Sequence, residues 1–198
     1  ETAKWIHSRG MSGATLTSPQ AGEGTDSLDV TEAYISYNAA VGKGLRFDLG
    51  KFVTYHGAEV IEAIDNPNYS RSFLFNYAIP FTHTGLRMSY AFSDALSGSL
   101  HIVNGWDNVK DNNNSKSLMG QLRLQPWSEF EIHTEVMFGP EQANDNSNWR
   151  GLVDVNATAK AWGPLEGGVR VAAVVGSSVH FVGCRCLWRE ALSIEQSV

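Results

Sequence analysis

The sequence has few charged residues, few cysteines and no long apolar run, and each shortage excludes a class of protein. Asp, Glu, Lys and Arg make up only 18% of the 198 residues, and the formal net charge is -6. Nucleic acid is therefore not expected as a partner, because binding a phosphate backbone needs a basic face. The longest comparable apolar stretch, residues 171–175, is far below the roughly 18 apolar residues of a membrane helix, which excludes a helical membrane protein.

The two cysteines, Cys184 and Cys186, lie together near the end of the chain. A C-x-C pair without a second Cys or His cluster matches no zinc or redox pattern, so no metal is predicted. The chain does not open with a secretory signal, and we expect that a signal was removed or that the chain begins within a longer protein. With 42% apolar residues, the chain can nevertheless bury or embed a large apolar surface.

Strict alternation of apolar and polar residues is the dominant pattern. In residues 130–138, Phe130, Ile132 and Val136 share one parity, while Glu131 and Glu135 share the other. Such a period of two is typical of a strand with one apolar and one polar face. The pattern recurs along the chain and predicts about eight strands, mostly of about nine to eleven residues, the length of a tilted membrane-spanning strand.

The connections between these strands alternate in length. The short ones are residues 38–44, 93–97, 126–129 and 162–167, and the long ones are residues 55–83, 106–116 and 139–149. Loop length has no reason to follow strand parity in a soluble sandwich, whereas outer-membrane barrels collect short turns on one side and long loops on the other. We therefore predict an all-β fold, an antiparallel up-and-down meander forming most of a transmembrane β-barrel.

Four of the six tryptophans lie where strands end. Trp106 and Trp149 are at long-loop ends, while Trp127 and Trp162 are in short turns. These positions predict an aromatic girdle at the two headgroup levels of a membrane. Tryptophan also packs under loops in other folds, so the placement supports the barrel without deciding it.

If the apolar face meets lipid, the opposite face lines a lumen. The predicted lumen-lining residues are Arg46, Asp48, Arg87, Gln121, Arg123, Glu131, His133, Glu135, Asp154, Asn156, Lys160 and Arg170. Charges of both signs suit a wet channel, where they orient water and act on passing solutes. The same alternation would also suit a soluble sheet that faces bulk water.

The connection over residues 55–83 is long and rich in apolar residues. A loop of this length in a compact β protein is usually functional. A short helix could start at Ser70, with Ser or Asn as its cap. We expect the loop to fold into the barrel and narrow the passage; a lid over the barrel mouth is the alternative. The residues predicted at the constriction are Glu59, Glu62, Asp65 and Arg71.

No motif indicates catalysis. His56 and His83 flank the long loop, with Glu59 and Glu62 nearby, but their spacing does not match H-E-x-x-H. The Asn-rich run after Asp107 lacks the spacing of a calcium loop, and neither G-x-S-x-G nor a P-loop occurs. We predict a non-enzymatic protein without a cofactor.

Several segments together resemble a known family. They are residues 50–60, 66–72, 80–87 and 104–116, including Asn66-Pro67-Asn68-Tyr69-Ser70-Arg71-Ser72. Over about residues 28–176 the chain resembles the OmpL-like β-barrel porins of Gram-negative outer membranes. The resemblance implies a pore for passive diffusion of small hydrophilic solutes or ions, set in outer-membrane lipid, with no cofactor and no catalytic residues to carry over. It leaves a homo-oligomer open.

The resemblance also divides the chain. We expect an irregular N-terminal segment over residues 1–27, a partial barrel domain over residues 28–176 and an atypical tail over residues 177–198, of which residues 187–197 could form a short helix. Family members are longer, so a truncated or frame-shifted chain is expected. Strands taken from a larger barrel would leave two bare edges, which cannot face lipid, so the complete parent rather than this chain is expected to conduct.

A soluble carbohydrate-binding β-sandwich is the competing prediction, with Trp106 and Trp149 as a sugar platform. The two folds differ in where the apolar side chains point. In a sandwich, Leu122, Leu124 and Ile132 would be buried against a second sheet, whereas in a barrel they would form an exposed outer band. A membrane-barrel enzyme is a third, weaker reading that would need a Ser/His/acid cluster at one rim.

Overall fold

The chain folds into one antiparallel sheet. The structure, a computed structural model, describes residues 30–66, 70–160, 165–176 and 180–190, with side chains described as far as residue 159, apart from residue 63. Its strands are β1 (Ala33–Ala39), β2 (Leu45–Val53), β3 (Thr82–Ala91), β4 (Leu96–Val103), β5 (Ser117–Trp127), β6 (Phe130–Pro140), β7 (Trp149–Lys160), β8 (Leu165–Gly176) and β9 (His180–Glu190).

Each strand pairs with its neighbours in the sequence, in the order β1 to β9, and the described sheet is open because β1 and β9 do not pair with each other. The predicted all-β up-and-down meander, an incomplete barrel, is confirmed. The predicted irregular segment over residues 1–27 lies outside the described residues.

The described residues contain one strand more than the sequence predicted. β9 falls within residues 177–198, the stretch expected to be an atypical tail, and it pairs with β8 along its whole length. The predicted helix over residues 187–197 is wrong where it overlaps β9; residues 191–198 lie outside the described residues. Pairing with the free edge of β8 satisfies the backbone groups of this segment, which outweighs its imperfect alternation.

The lengths of the connections set the two ends of the sheet apart. Short connections follow β1, β3, β5 and β7, and they are turns where the structure describes them; longer loops follow β2, β4 and β6, at residues 54–81, 104–116 and 141–148. Because neighbouring strands are antiparallel, these loops share one end of the sheet, the long-loop end, and the turns share the short-turn end. The connection from β8 to β9, residues 177–179, is short where the alternation predicts a long one.

The two faces of the sheet differ in chemistry. The outer face exposes large apolar side chains: Ile35, Tyr37, Leu49, Leu100, Ile102, Leu118, Leu122, Leu124, Phe138 and Val153. Leu122 is 50% exposed and Leu124 40%, and the described strands form a single sheet, so the alternative of a β-sandwich is wrong. An exposed apolar band is the surface that strands in lipid require.

The inner face carries a buried apolar core at the long-loop end. Five of its residues come from strands (Phe52, Val103, Met119, Met137 and Leu152) and five from the loop between β2 and β3 (Leu74, Phe75, Ala78, Ile79 and Phe81). Each is no more than 4% exposed. Burying a large apolar side chain stabilises by about 1.5–3 kcal/mol, so this contact holds the loop firmly on the sheet.

None of the helical segments in the described residues is long and apolar enough to cross a membrane.

Candidate functional site

The long loop, residues 54–81, crosses the inner face of the sheet. The N–H of Thr54 donates to the carbonyl of Phe81 (2.9 Å), which holds the two ends of the loop together. Between these ends, the helical turn Leu74–Ala78 lies against β8 and β9, far across the sheet from β2 and β3. A loop that leaves β2, reaches β8 and returns to β3 must pass over the inner side of the sheet. This path favours the predicted inward fold over a lid across the mouth.

The short helix expected after Ser70 is present as the turn Leu74–Ala78. The hydroxyl of Ser72, rather than Ser70, accepts a hydrogen bond from the N–H of Phe75 (3.1 Å). Ser72 thus satisfies one of the backbone donors at the start of the turn.

The surface under the loop is a row of apolar side chains on the inner face, which was not predicted. Met119 and Met137 lie on the same face as Gln121 and Glu135, which are two residues away on the same strands, toward the short-turn end. Apolar residues on both faces at one end of several strands indicate that something packs there. This change of pattern is the signal by which the sequence could have located the loop.

Polar residues also join the loop to the sheet. A ring nitrogen of His56 and one carboxylate oxygen each from Glu135 on β6 and Asp154 on β7 all lie within 4.8 Å of one another, and all three residues are buried. Glu135 accepts hydrogen bonds from Gln121 Nε2 (3.1 Å) and Asn156 Nδ2 (3.3 Å). His56 therefore reaches strands that lie four and five places along the sheet from β2. We call His56, Glu135 and Asp154 the loop–wall site.

The residues predicted at the constriction differ in their burial and contacts. Glu59 is buried, and its carboxylate accepts hydrogen bonds from the N–H of Ser72 (3.1 Å) and from its hydroxyl. Arg71 Nη2 donates to a backbone carbonyl of the same loop (2.7 Å). Glu62 and Asp65 are exposed. Glu59 and Arg71 thus stabilise the loop itself, and a role for the four residues toward solutes stays a prediction.

A second polar cluster, the wall cluster, lies between β1, β2 and β3. It consists of Ser36, Arg46, Asp48 and Arg87. Arg87 donates through Nε and Nη2 to Asp48 Oδ2 at 2.9 and 2.8 Å. On its other oxygen, Oδ1, Asp48 accepts from Arg46 Nε (2.8 Å) and from the Ser36 hydroxyl (2.6 Å). Two arginines therefore face one carboxylate.

Aromatic rings surround the Arg87 guanidinium. Its central carbon lies 4.5 Å from the ring centroid of Phe52 and 4.8 Å from that of Tyr55. Such cation–π contacts strengthen where water is excluded. Burial also raises the pKa of the Tyr55 hydroxyl, which keeps it protonated and uncharged.

The predicted lumen-lining residues share the inner face wherever their side chains are described. They are Arg46, Asp48, Arg87, Gln121, Arg123, Glu131, His133, Glu135, Asp154 and Asn156. Toward the short-turn end, Arg123 forms a two-point ion pair with Glu131, at 2.9 and 2.7 Å. The side chains of Lys160 and Arg170 lie outside the described set.

Two of the four predicted girdle tryptophans lie on the outer face. Trp127 and Trp149 are 59% and 57% exposed, at opposite ends of their strands. Trp106 is not part of an outer girdle, because it packs against the inner core and Arg150 lies 4.8 Å from its ring centroid. Gly105 has a φ of 123° and turns the chain just before Trp106, which a reading of strand ends does not foresee. Trp162 lies outside the described residues.

Glu141 joins the two loops that follow β4 and β6. Its Oε2 accepts a hydrogen bond from the N–H of Trp106 (2.7 Å), and its Oε1 accepts one from the hydroxyl of Ser117 (2.6 Å). Burial raises the pKa of Glu141, against the effect of these hydrogen bonds, which lower it. A Cβ on Gly105 would lie 2.7 Å from Glu141 Oε2, so glycine fits here for its size as well as its φ.

Ser99 and His101 form the pair on the inner face that most resembles part of a catalytic site. Ser99 Oγ and His101 Nε2 lie 2.8 Å apart. The other ring nitrogen, Nδ1, is buried and has no hydrogen-bond partner among the described side chains. A Ser–His–acid triad needs a carboxylate at this nitrogen to orient the ring, so the pair does not constitute one.

One curled sheet with an apolar outer face, a charged inner face and an inward loop defines the β-barrel porin class of architecture. The family model described as "Putative beta-barrel porin-2, OmpL-like" matches residues 8–165, and the chain belongs to this family. The match takes in β1 to β7 and every long loop, and it ends at the first residue of β8. The resemblance inferred from the sequence is thereby confirmed. Comparison with curated proteins and with solved structures gives no significant match.

Proposed function

We propose that this protein is an outer-membrane porin whose complete barrel surrounds a water-filled channel for passive diffusion of small hydrophilic solutes or ions. The observation that supports this most is the division of one sheet into an exposed apolar face and a charged face covered by a long loop. Hydrocarbon suits the first face, and a wet lumen with charges of both signs suits the second. Transport of this kind needs no cofactor.

The long loop narrows the channel in this proposal. Its apolar side chains fill the inner face at the long-loop end, so it reduces the cross-section by its bulk. Charges that face the remaining space come from the wall, since the Arg46 and Arg123 side chains are 45% and 40% exposed while that of Arg87 is only 6% exposed.

Conduction requires that the open sheet be closed. An unpaired strand edge cannot face lipid, and a closed barrel of about eight strands is filled by its own side chains. We therefore propose that further strands of the complete protein, or a second copy, pair with the edges of β1 and β9.

Planar-bilayer recording on the full-length protein tests the channel. We expect stepwise, ohmic current increments that increase with salt concentration, together with liposome swelling in small sugars. A protein that inserts with protected strands but never conducts would contradict the channel. A protein that stays in the aqueous phase would contradict the membrane barrel as well.

Replacing Arg71 by Gln tests the predicted constriction. If the guanidinium of Arg71 faces the passage, its removal shifts the reversal potential in a salt gradient toward cation selectivity. Arg46→Gln serves as a comparison, because Arg46 is the more exposed arginine of the wall. A reversal potential that moves for Arg46→Gln and not for Arg71→Gln removes Arg71 from the constriction.

A further inference from the structure

Three ligand-type side chains from separate parts of the chain meet at the loop–wall site. His56 is 2% exposed, Glu135 2% and Asp154 0%. Glu135 and Asp154 are direct register partners on β6 and β7, so strand pairing alone fixes the two carboxylates side by side. His56 is delivered by the loop, and its ring nitrogen lies within 4.8 Å of both carboxylates.

We propose that the loop–wall site binds one divalent transition-metal cation of the zinc class and thereby fixes the long loop to the wall. One imidazole nitrogen and two carboxylate oxygens are a donor set that Zn²⁺ and its neighbours accept. Ligand atoms around such an ion lie roughly 3–4 Å apart, so small rotations of the three side chains close the site.

Asn156 is a further buried polar residue beside the loop–wall site. It is 6% exposed and shares the inner face of β7 with Asp154. Its Nδ2 donates to Glu135 Oε2 (3.3 Å), while its Oδ1 is buried without a hydrogen-bond partner among the described side chains. Leaving such an oxygen unsatisfied is costly, and a metal ion beside Glu135 supplies what it lacks. Asn156 Oδ1 is therefore the fourth ligand in this proposal.

The contacts of Glu135 fit a support role around a metal. Gln121 Nε2 donates to its Oε1 (3.1 Å) and fixes the orientation of the carboxylate. Hydrogen bonds of this kind to a ligand typically change metal affinity by about 10–100-fold when removed. His133 is another histidine close to the site, with Nδ1 at 3.7 Å from Glu135 Oε1 and Nε2 bonded to Glu131.

Direct metal binding tests the site without reference to conduction. The full-length protein, refolded in detergent and freed of metal with EDTA, is titrated with Zn²⁺ by calorimetry and with Co²⁺ by visible absorption. We expect one ion per chain, with His56→Asn and Asp154→Asn each weakening affinity at least tenfold. His133→Gln is the matched control, and it should leave affinity within twofold. Loss of binding in His133→Gln with retention in His56→Asn would overturn the assignment.

Measurements on the wild-type protein test the site even if a variant fails to fold. X-ray absorption of the zinc-loaded wild type should show one imidazole and oxygen ligands, and no binding at submillimolar Zn²⁺ would refute the proposal. Hydrogen exchange then tests the fixing of the loop, since residues 54–81 should exchange more slowly with zinc than with EDTA. Unchanged exchange would refute the fixing. A protein that binds zinc but never conducts would refute the porin function and leave the metal site standing.

Discussion

The wall cluster and the loop–wall site are two charged clusters on the same face, and different parts of the chain hold them together. In the wall cluster, Asp48 is met by Arg46 on its own strand and by Arg87 on the next. In the loop–wall site, two neighbouring carboxylates contact His56, which lies on a loop that leaves the sheet four and five strands away. Strand pairing is thus sufficient for the first cluster, whereas the second exists only when the loop is docked.

The inner face therefore has two structures whose stabilities can be separated: the paired strands and the docked loop. The first belongs to the strands and is lost only when the sheet unfolds. The second belongs to the loop, which can detach while the strands stay paired, because local unfolding in a protein can cost less than global unfolding. Substitutions in one cluster should therefore leave the other cluster intact.

Replacing Arg87 by Gln should have the largest effect and should act on the strands. Asp48, whose side chain is 2% exposed, would lose its two-point partner. Removing one member of a buried ion pair typically costs about 3–5 kcal/mol, and we expect a loss of this order in the free energy of unfolding. Urea titration of the protein in lipid vesicles, followed by tryptophan fluorescence, measures it.

Lys43→Gln is the control for that experiment. The Lys43–Asp94 pair (2.8 Å) is exposed, with a side-chain exposure of 50% for Lys43. Water and salt screen such exposed pairs, so we expect only a small loss of stability. Equal losses for Arg87→Gln and Lys43→Gln would show that the wall cluster does not hold the strands.

Replacing Phe81 by Ala should have the next largest effect and should act on the loop. Phe81 is 1% exposed and packs on Phe75, with ring centroids 4.7 Å apart. Truncating a buried Phe typically costs about 3–5 kcal/mol. Because Phe81 belongs to the loop, we expect much of this loss to weaken the docking of the loop onto the sheet. We expect faster proteolysis within residues 54–81 and a larger single-channel conductance. Phe73→Ala, at a side chain that is 75% exposed, should change neither.

The wall cluster was open to prediction from the sequence, and the docked loop was only partly so. Asp48 and Arg87 have the polar parity of adjacent strands, so a period of two places them on one face. The contact of His56 with Glu135 depends on the path of a long loop, which no local pattern encodes. Met119 and Met137 did indicate an apolar surface under the loop, because they are apolar residues at positions of the inward-facing parity.

Trp106 and β9 show two other limits of sequence reasoning. A strand-end tryptophan was expected to face lipid, but the positive φ of Gly105 redirects the chain there. The β9 segment alternates poorly, yet a free strand edge accepts almost any extended segment. In both cases backbone geometry, rather than side-chain pattern, determined the outcome.

Replacing Ser72 by Ala should have a smaller effect, confined to the loop. Its hydroxyl contacts the buried carboxylate of Glu59 and accepts the N–H of Phe75. Losing these two hydrogen bonds of the hydroxyl costs about 1–2 kcal/mol. Hydrogen exchange should rise within residues 54–81 and stay unchanged in β2 and β3. Ser70→Ala, at an exposed serine, is the control; a similar rise there would contradict a specific role for Ser72.

The smallest expected effect is a pH dependence of the free energy of unfolding that is due to Glu141. The hydrogen-bond donors to this carboxylate are neutral, whereas those to Asp48 include two arginines. Burial raises the pKa of Glu141 above the ordinary value of 4.5. A raised pKa means that the folded state favours the protonated form. The stabilisation is thus fully present below the ordinary pKa and is lost as pH rises through the raised one. Unfolding titrations of the wild type and of Glu141→Gln between acid and neutral pH measure the difference.

Glu141→Gln should flatten this step, because the amide is neutral at every pH and its oxygen can still accept the N–H of Trp106. Asp145, four residues later, provides the opposite control. Hydrogen bonds from Ser147 and Asn148 lower the pKa of Asp145, so any contribution it makes is present above its ordinary pKa and is lost as pH falls through the lowered one. Asp145→Asn should therefore leave the step seen on raising the pH. If Asp145→Asn removes that step and Glu141→Gln does not, the pH dependence belongs to the exposed part of the loop, and the partly buried carboxylate of Glu141 does not set it.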